Sequence, residues 1–358
     1  MNNDYEVPFY FDEKAYKILK NYLINEVYSV NNIFILVDNF TIKKCLPILF
    51  YKINFLKKSN IICIQSGEKE KNIHTCIYIC NQLEKFKGTR KSIILNLGGG
   101  VITDIGGFVS SIFKRGIRFI NIPTTLLGMV DASIGCKTGV NLNSIKNEIG
   151  SFYAPEFLVI DVNFLDTLSN EEIFSGMAEM LKHGLILDIK FWDDIIKNWY
   201  HKKNWYHLIH QSIVIKQKIV KKDPKETGFR KILNFGHTIG HAIESLFITK
   251  NIKISHGEAI TIGMIYESWI SNKINGLSVK DYKEIRLILS RLYSLKRKIS
   301  NLDVENLYSI MEFDKKNENN KIQFSLLKKI GECSYNCPVS YSLIKESFLS
   351  SEMKKIKE

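Results

Sequence analysis

The chain has 358 residues, 45% of them hydrophobic, which is enough to bury a sizeable core and predicts two domains or one large one. Its formal net charge is +13, because 50 lysines and arginines outnumber 37 acidic residues. The basic residues are spread along the chain and do not alternate with aromatics in one patch. This argues against nucleic-acid binding and favours an anionic small molecule as the partner.

The cysteines and the apolar segments bear on the cellular compartment. The seven cysteines are odd in number and lack zinc-ribbon spacing, which predicts reduced thiols. The first residues show no signal-peptide pattern, and no uncharged apolar run reaches about 18 residues. We therefore expect a cytoplasmic protein that neither enters nor crosses a membrane.

Apolar runs that end in polar residues alternate with amphipathic segments in the N-terminal half. The runs lie within residues 33–40, 61–72, 92–111 and 119–125. This alternation predicts a parallel sheet covered by helices on both faces. Ligands of such sheets bind at the carboxyl ends of the strands, where all four polar endings fall. We expect an α/β domain over residues 1–168.

The third run is followed by a glycine turn, Gly98-Gly99-Gly100, and then by a predicted helix. Glycines there would let backbone amides approach a pyrophosphate at the helix N-terminus. The turn does not match G-x-G-x-x-G, and a plain glycine turn before a packed helix is an equally good interpretation. Asp104, one turn into the helix, would repel a phosphate and favours a sugar, a nicotinamide or a substrate as its neighbour.

Residues 122–150 place polar and charged side chains among small and apolar ones, which predicts a lined cavity; a long surface loop is the alternative. The side chains concerned are Thr124, Thr125, Asp131, Lys137, Lys146 and Asn147.

From residue 169 onward glycine thins out and helical periodicity takes over, which predicts a helical domain over residues 169–358. On a helix over 171–185, Glu179 and Lys182 share a face, either as a functional pair or as an ordinary surface pair. A basic helix follows, with Lys216 in its more apolar part. The last hundred residues predict a helical bundle.

Three of the eight histidines lie in residues 233–258. His237 and His241 are four residues apart on a predicted helix, and His256 follows a short connection. Two imidazoles on a helix with a third from the next element is a common zinc pattern, although an H-x-x-x-H pair alone is weak evidence. Glu179 or His183 could complete a site, and residue type alone leaves that choice open.

Nine motifs in order resemble the 3-dehydroquinate synthase family over roughly residues 30–330. They are GGGVITD, PTTLL, VDASIGCKTGVN, KNEIGSFY, FLDTL, GMAEMLKHGLI, ETGFRKILNFGHTIGHAIE, HGEAITIGM and FDKK. The resemblance implies an N-terminal NAD-binding α/β domain with a parallel sheet, an all-α C-terminal zinc-binding domain, and an active site in the cleft. It also implies a homodimer acting on a small molecule.

The implied reaction converts 3-deoxy-D-arabino-heptulosonate 7-phosphate to 3-dehydroquinate and phosphate, a step of the shikimate pathway that leads to aromatic amino acids. Transient oxidation by NAD, phosphate elimination, reduction and an intramolecular aldol closure follow one another, so the net redox change is zero. The resemblance implies Zn²⁺, or Co²⁺, on Glu179, His237 and His256. His241 then lies on the substrate side or behind a ligand, and His183 is not among the ligands.

The remaining implied residues bind NAD or the substrate. Those for NAD are Asp38, Ser66, Gly67, Glu68, Lys69, Glu70, Lys71, Gly99, Gly100, Val101, Ile102, Thr103, Asp104, Thr124, Thr125, Lys137, Lys146, Phe164, Leu165, Asp166 and Thr167. Those for substrate and catalysis are Asp131, Lys137, Asn147, Lys182, Lys216, Arg230, Asn234, His241, Lys315 and, from a neighbouring subunit, Arg115.

Three positions depart from the family pattern. Cys136 and Thr103 stand where glycine is common, and Ser66 stands where aspartate is common. Another sugar-phosphate cyclase is the nearest alternative, but Arg230 with Lys216 would suit a substrate carboxylate that such enzymes do not need. Two more distant possibilities are a metal-dependent polyol dehydrogenase and a non-catalytic basic binding protein.

Overall fold

The computed structural model describes residues 6–27, 29–143, 145–199, 204–292, 301–314 and 321–350. The chain divides into two compact units. The first comprises Met1–Ile173 and Lys216–Pro224, and the second comprises Phe174–Ile215 and Lys225–Glu358.

The first unit begins as an alternation of strands and helices. Its elements are β1 (Phe9–Phe11), α1 (Asp12–Glu26), β2 (Ile33–Asp38), α2 (Thr41–Lys44), α3 (Leu46–Lys52), β3 (Asn60–Ile64), α4 (Ile73–Lys85), β4 (Ile93–Gly98), α5 (Gly100–Ile112), β5 (Arg118–Pro123), β6 (Lys137–Leu142), β7 (Ile145–Phe152) and β8 (Leu158–Ile160).

The second unit is mostly helical. The chain continues through α6 (Asn170–Leu187), α7 (Ile189–Asn198), α8 (Trp205–Lys222), α9 (His237–Thr249), α10 (His256–Ile274), α11 (Val279–Leu292), α12 (Asn301–Asp314), β9 (Ile322–Lys329), β10 (Glu332–Val339) and α13 (Tyr341–Leu349).

Six strands of the first unit form one parallel sheet in the order β1-β8-β5-β4-β2-β3. Strands β4 and β5 are buried almost along their length, which explains why their sequences are continuous apolar runs. The predicted parallel sheet with helices is confirmed. The strand order reverses between β2 and β4, and ligands bind outside the carboxyl ends of strands at such a switch point. The chain leaves these strands at Asp38 and at Gly98.

The C-terminal region is largely helical, as predicted, but the expectation of an all-α domain is corrected by one hairpin. Strands β9 and β10 pair antiparallel. The buried residues of β9 lie within Ile322–Leu327, a short run that Gln323 and Ser325 interrupt, and such a short run does not distinguish a strand from a buried helical turn. Among the described residues, no helix has both the length and the hydropathy needed to cross a bilayer.

Candidate functional site

A buried carboxylate on α6 lies at the centre of a polar cluster in the second unit. Glu179 is fully buried, and Lys182 forms an ion pair with Glu179 Oε2. The surface pair considered for these two residues is wrong, because neither side chain is more than 2% exposed. Two buried opposite charges compensate part of each other's lost hydration only when further polar groups surround them.

Two imidazoles approach this carboxylate from α9 and α10. His237 Nε2 lies 3.5 Å and His256 Nε2 lies 3.8 Å from Glu179 Oε1. The other nitrogen of each ring has its own acceptor. His237 Nδ1 lies 3.1 Å from the Phe235 carbonyl oxygen, and His256 Nδ1 lies 3.3 Å from Glu244 Oε2. With the proton on Nδ1, both rings offer Nε2 as a ligand.

The N-terminus of α9, where His237 stands, is fixed by a carboxylate from α10. Glu267 is fully buried and accepts hydrogen bonds from the backbone N–H of Gly236 (2.6 Å) and of Ile239 (3.0 Å). Gly236 has φ +80°, and a Cβ there would lie 2.3 Å from Met264 Cγ. Glu267 therefore supplies the cap that a glycine at this position cannot make.

The charges of the cluster shift the pKa of its members in different directions. Burial would raise the pKa of Glu179, but Lys182, His237 and His256 outweigh it and hold that pKa well below its usual value. Burial, assisted by the Lys182 ammonium, lowers the pKa of His237 to about 3. Burial would also lower the pKa of His256, but Glu179 and Glu244 raise it to about 9.

The residues Glu179, His237 and His256 fit a divalent metal. One ligand atom from each lies within 4.8 Å of the others. Apart from the ion pair of Oε2 with Lys182, neither buried carboxylate oxygen of Glu179 has a hydrogen-bond partner among the described residues. A carboxylate and two imidazoles form a ligand set of catalytic zinc that leaves a position for water or substrate.

A second set of potential ligands shares His256. His241, Glu244 and His256 also bring one ligand atom each within 4.8 Å. The His241 ring lies 5.0 Å from that of His237 and 5.9 Å from that of His256, measured between centroids. His183, which residue type alone kept as a candidate, has its Nδ1 2.8 Å from Ser212 Oγ.

The ends of β2 and β3 form a second polar region, in the first unit. Asp38 Oδ1 accepts hydrogen bonds from the backbone N–H groups of Phe40 (2.9 Å) and Thr41 (2.8 Å). The N–H of Ser66 donates to Asn39 Oδ1 at 2.7 Å. Gly67 follows with φ +111° and open space where a Cβ would stand. These turns hold Glu68, Lys69 and Glu70 in one 3₁₀ turn.

A buried lysine joins three separate segments of the first unit. Lys71 is 6% exposed, and its Nζ lies 2.6 Å from Asp104 Oδ2 and 2.5 Å from Asn147 Oδ1. Burial raises the pKa of Asp104, and the nearby Lys71 ammonium offsets only part of that rise. The ion pair with Lys71 therefore favours the ionised form of Asp104 against the effect of burial.

We expect Lys71→Met to lose about 3 kcal/mol of unfolding free energy at neutral pH, because it leaves a largely buried carboxylate, 18% exposed, without its ammonium partner. A raised pKa means that folded Asp104 holds its proton more tightly than the unfolded chain, so its ionisation costs stability as the pH rises. The deficit of the variant should therefore shrink as the pH falls and Asp104 becomes protonated. Denaturant unfolding at several pH values measures this.

The matched control is the double variant Lys71→Met/Asp104→Asn, which removes both charges and should recover most of the lost stability. A deficit that is the same at every pH, or that persists in the double variant, would contradict the pairing.

The glycine turn after β4 lies close to the segment that follows β5. Thr124 N–H donates to the Gly98 carbonyl oxygen at 3.0 Å, and Gly128 N–H donates to Thr125 Oγ1 at 3.0 Å. A Cβ on Gly99 would lie 3.0 Å from Thr125 Cγ2. Gly99 makes no side-chain cap for α5, and the N-terminal amides of a helix suit an anion such as a pyrophosphate. Val101, Ile102 and Thr103 continue α5.

Asp131, in the segment before β6, forms an ion pair with Lys216 of α8. Lys216 Nζ lies 2.6 Å from both Oδ1 and the carbonyl oxygen of Asp131. Cys136 has φ +59°, a left-handed conformation that glycine adopts at much lower cost, which accounts physically for the glycine usual in the family pattern. Lys137 is exposed at the start of β6, and Lys146 is half-buried in β7.

Other predicted residues are more scattered. Phe164 and Leu165 are core residues of a 3₁₀ turn that also holds Asp166 and Thr167. Arg115 is exposed after α5. Arg230 is 2% exposed and is therefore buried. Lys315 lies outside the described residues.

Sequence reasoning missed four polar residues that hold the predicted ones in place. Glu244 contacts His256, Glu267 caps α9, Asn39 binds the backbone of Ser66, and Glu226 Oε1 accepts from Asn234 Nδ2 at 2.8 Å. Glu244 had a signal, because it stands three residues after His241 on the same face of α9. Glu267 had none, since its partners are backbone amides of another helix.

The fold is shared by sugar-phosphate cyclases and by polyol and alcohol dehydrogenases. A structure of 2-deoxy-scyllo-inosose synthase complexed with carbaglucose-6-phosphate, NAD+ and Co2+ is 25% identical, with a TM-score of 0.81 over 95% of each chain. 2-epi-5-epi-valiolone synthase from Streptomyces hygroscopicus, with NAD+ and Zn2+ bound, is 22% identical, with a TM-score of 0.79 over 97% of each chain. A probable glycerol dehydrogenase from Sinorhizobium meliloti shares the fold at 10% identity and a TM-score of 0.64.

Sequence comparison narrows this class to one family. The 3-dehydroquinate synthase N-terminal family model matches residues 61–175, and the C-terminal model matches residues 176–317. The 3-dehydroquinate synthase of Parabacteroides distasonis is 41% identical over 88% of this chain and 90% of its own length, and that of Clostridium tetani is 39% identical over 92% and 88%. The chain therefore belongs to the 3-dehydroquinate synthase family.

Proposed function

We propose that this protein is an NAD- and metal-dependent lyase that converts 3-deoxy-D-arabino-heptulosonate 7-phosphate to 3-dehydroquinate and phosphate. The single observation that carries the proposal is the match to one enzyme family across both halves of the chain. The fold alone would also suit a dehydrogenase. We further propose that the enzyme acts in the cytoplasm, as a homodimer, in the shikimate pathway.

The metal would be Zn²⁺ or Co²⁺, held by Glu179, His237 and His256. Two related cyclases contain these ions together with NAD+, and the three side chains have suitable donor chemistry and spacing. When bound, NAD can take up and return one hydride, and the metal can polarise a substrate hydroxyl. Lys182 beside Glu179 adds a positive charge that favours an anionic substrate.

The NAD-binding residues would come from the strand ends of the first unit. The amides at the start of α5 suit the pyrophosphate, and the turn at Ser66–Lys71 suits the adenosine. Asp104, which is paired with Lys71, can accept a hydrogen bond from a neutral part of the cofactor. Its carboxylate would repel a phosphate, so the pyrophosphate belongs nearer Gly99 and Gly100.

Two sets of residues would each bind one of the two anionic groups of the substrate. Arg230 and Lys216 would bind the carboxylate, since a buried guanidinium offers two parallel N–H donors to it. Lys137, Asn147 and His241 would bind the phosphate. Asp131 holds Lys216 in place at 2.6 Å, and the net charge of +13 favours an anionic substrate and cofactor together.

The proposal predicts that NAD is recycled within each turnover. Product should therefore accumulate without a matching rise in the absorbance of reduced nicotinamide. A continuous absorbance assay, run beside chromatographic quantification of product, measures the ratio of NADH to product. One NADH per product would support a polyol dehydrogenase instead. Turnover of a sugar phosphate that lacks the carboxylate, at the same rate, would support another cyclase.

A further inference from the structure

We propose that Glu244 is a positioning residue that orients the imidazole of His256 toward the metal. This inference rests on the proposed function, because it presupposes that His256 is a ligand. Glu244 would act through the ring and would touch neither the substrate nor the metal.

The position of Glu244 on α9 brings its carboxylate to the ring of a different helix. His237, His241 and Glu244 are at positions i, i+4 and i+7 and therefore share one face of α9. His256 is the first residue of α10, where Ser255 caps the helix by accepting from Glu258 N–H. Glu244 Oε2 reaches His256 Nδ1 at 3.3 Å, while Nε2 of the same ring faces Glu179.

The contact decides which nitrogen of His256 can bind a metal. A neutral imidazole carries one proton, and only the unprotonated nitrogen has a lone pair for a cation. A carboxylate beside Nδ1 holds the proton there and leaves Nε2 as the ligand atom. Without Glu244 the ring could carry its proton on either nitrogen or rotate away, because the start of α10 alone does not fix the ring plane.

The two proposed imidazole ligands differ in the acceptor behind them. His237 Nδ1 faces the neutral carbonyl of Phe235, whereas His256 Nδ1 faces a carboxylate whose side chain is 7% exposed. A hydrogen bond to an ionised acceptor is roughly twice as strong as one to a neutral acceptor. Glu244 therefore orients the ring of His256 more firmly than the Phe235 carbonyl orients the ring of His237. It also makes the His256 ring the better electron donor of the two.

Two other roles for Glu244 would produce different results. As a direct ligand in the set with His241 and His256, it would be as sensitive to amide substitution as to truncation, because a neutral amide is a poor metal ligand. As a purely structural ion-pair partner, it would contribute to folding and leave metal affinity unchanged.

The experiment compares Glu244→Gln and Glu244→Ala in the full chain. The metal-stripped proteins are titrated with Zn²⁺ against a chromophoric chelator, and the visible spectrum of each Co²⁺-loaded protein is recorded. We expect Glu244→Ala to bind Zn²⁺ about 10–100-fold more weakly. Glu244→Gln should lose less, because its amide oxygen can still accept from Nδ1, and its Co²⁺ bands should shift without loss of intensity.

Glu284→Gln is the matched control. Glu284 is also a carboxylate of the second unit that accepts from a ring N–H, that of Trp192 Nε1 at 2.9 Å. The Glu284→Gln variant should bind Zn²⁺ as tightly as the unsubstituted protein. Thermal unfolding of the metal-stripped variants separates a loss of folding from a loss of metal affinity.

Each result of the titration decides between these roles. If both Glu244 variants bind Zn²⁺ as tightly as the control, the positioning role is rejected. If Glu244→Gln loses as much affinity as Glu244→Ala, Glu244 is a ligand and the proposal is also rejected. If Glu244→Ala does not fold, the affinity and spectrum of Glu244→Gln alone decide. Failure of the unsubstituted protein to bind any divalent metal would overturn the proposed function itself.

Discussion

His237→Ala and His256→Ala should each bind Zn²⁺ about 1000-fold more weakly than the unsubstituted chain. Zinc sites in small domains bind with about 10–16 kcal/mol at neutral pH, and one of three protein ligands accounts for about 4 kcal/mol of that. The imidazoles of His237 and His256 are the ones whose Nε2 atoms face the buried Glu179 carboxylate. Metal content after dialysis, followed by chelator competition, measures the loss.

His241→Ala is the matched control, because it removes the same side chain one turn further along α9. The variant should keep its zinc and lose activity because it no longer makes the His241 contact with the substrate. The structure makes this comparison decisive, since His256 belongs both to the set that contains His237 and to the set that contains His241, whereas each of those two histidines belongs to only one of these sets. Loss of zinc in His241→Ala with retention in His237→Ala would assign the metal to His241, Glu244 and His256.

Arg230→Lys should lower kcat/KM for the carboxylated substrate by one to three orders of magnitude. Arg230 is 2% exposed, so its charge is desolvated and depends on the geometry of the groups that contact it. Losing one partner of a buried charge pair costs about 2–5 kcal/mol, and lysine replaces a planar fork by a single point charge. Zinc content and NAD affinity should be nearly unchanged, because Arg230 is not among the residues proposed to bind zinc or NAD.

Steady-state kinetics on Arg230→Lys, run beside a metal assay, test this expectation. Lys231→Arg is a suitable control, because it makes the reverse substitution, lysine to arginine, at the next residue, which is half-buried. Normal kinetics for Arg230→Lys would mean that Arg230 serves packing and that another group binds the carboxylate.

Periodicity and residue type predicted the parallel sheet of the first unit, because such a sheet needs long apolar strands that end in polar turns. Those turns, at Asp38 and at Gly98–Gly100, leave the sheet on either side of its switch point. The hairpin of β9 and β10 escaped prediction for the opposite reason. Its apolar run is short, and only pairing with β10 makes it a strand.

The histidines illustrate what spacing can and cannot establish. The spacing of His237 and His241 predicted a shared helix face, and both are on α9. It could not choose between them as ligands, because that depends on Glu179, which is 58 residues earlier in sequence than His237. The resemblance to a family made the choice, and it remains a prediction.

The supporting contacts were beyond sequence reasoning, because they join residues that are far apart in the chain. Lys71 reaches Asp104 and Asn147, and Glu267 reaches the backbone of Gly236. No periodic pattern marks a buried carboxylate that binds amides of another helix. Glu244 is the exception, since its position three residues after His241 could have suggested a role beside the imidazoles.

The central claim, that this chain eliminates phosphate from a seven-carbon sugar-acid phosphate with NAD and a metal, is tested most directly by measuring phosphate release. Purified protein is assayed with the substrate in the presence of NAD and Zn²⁺, then without NAD, and then with a chelator. Equal amounts of phosphate and 3-dehydroquinate are expected only when both cofactors are present. Phosphate release that is independent of NAD and metal, or none from folded and metal-loaded protein, would contradict it.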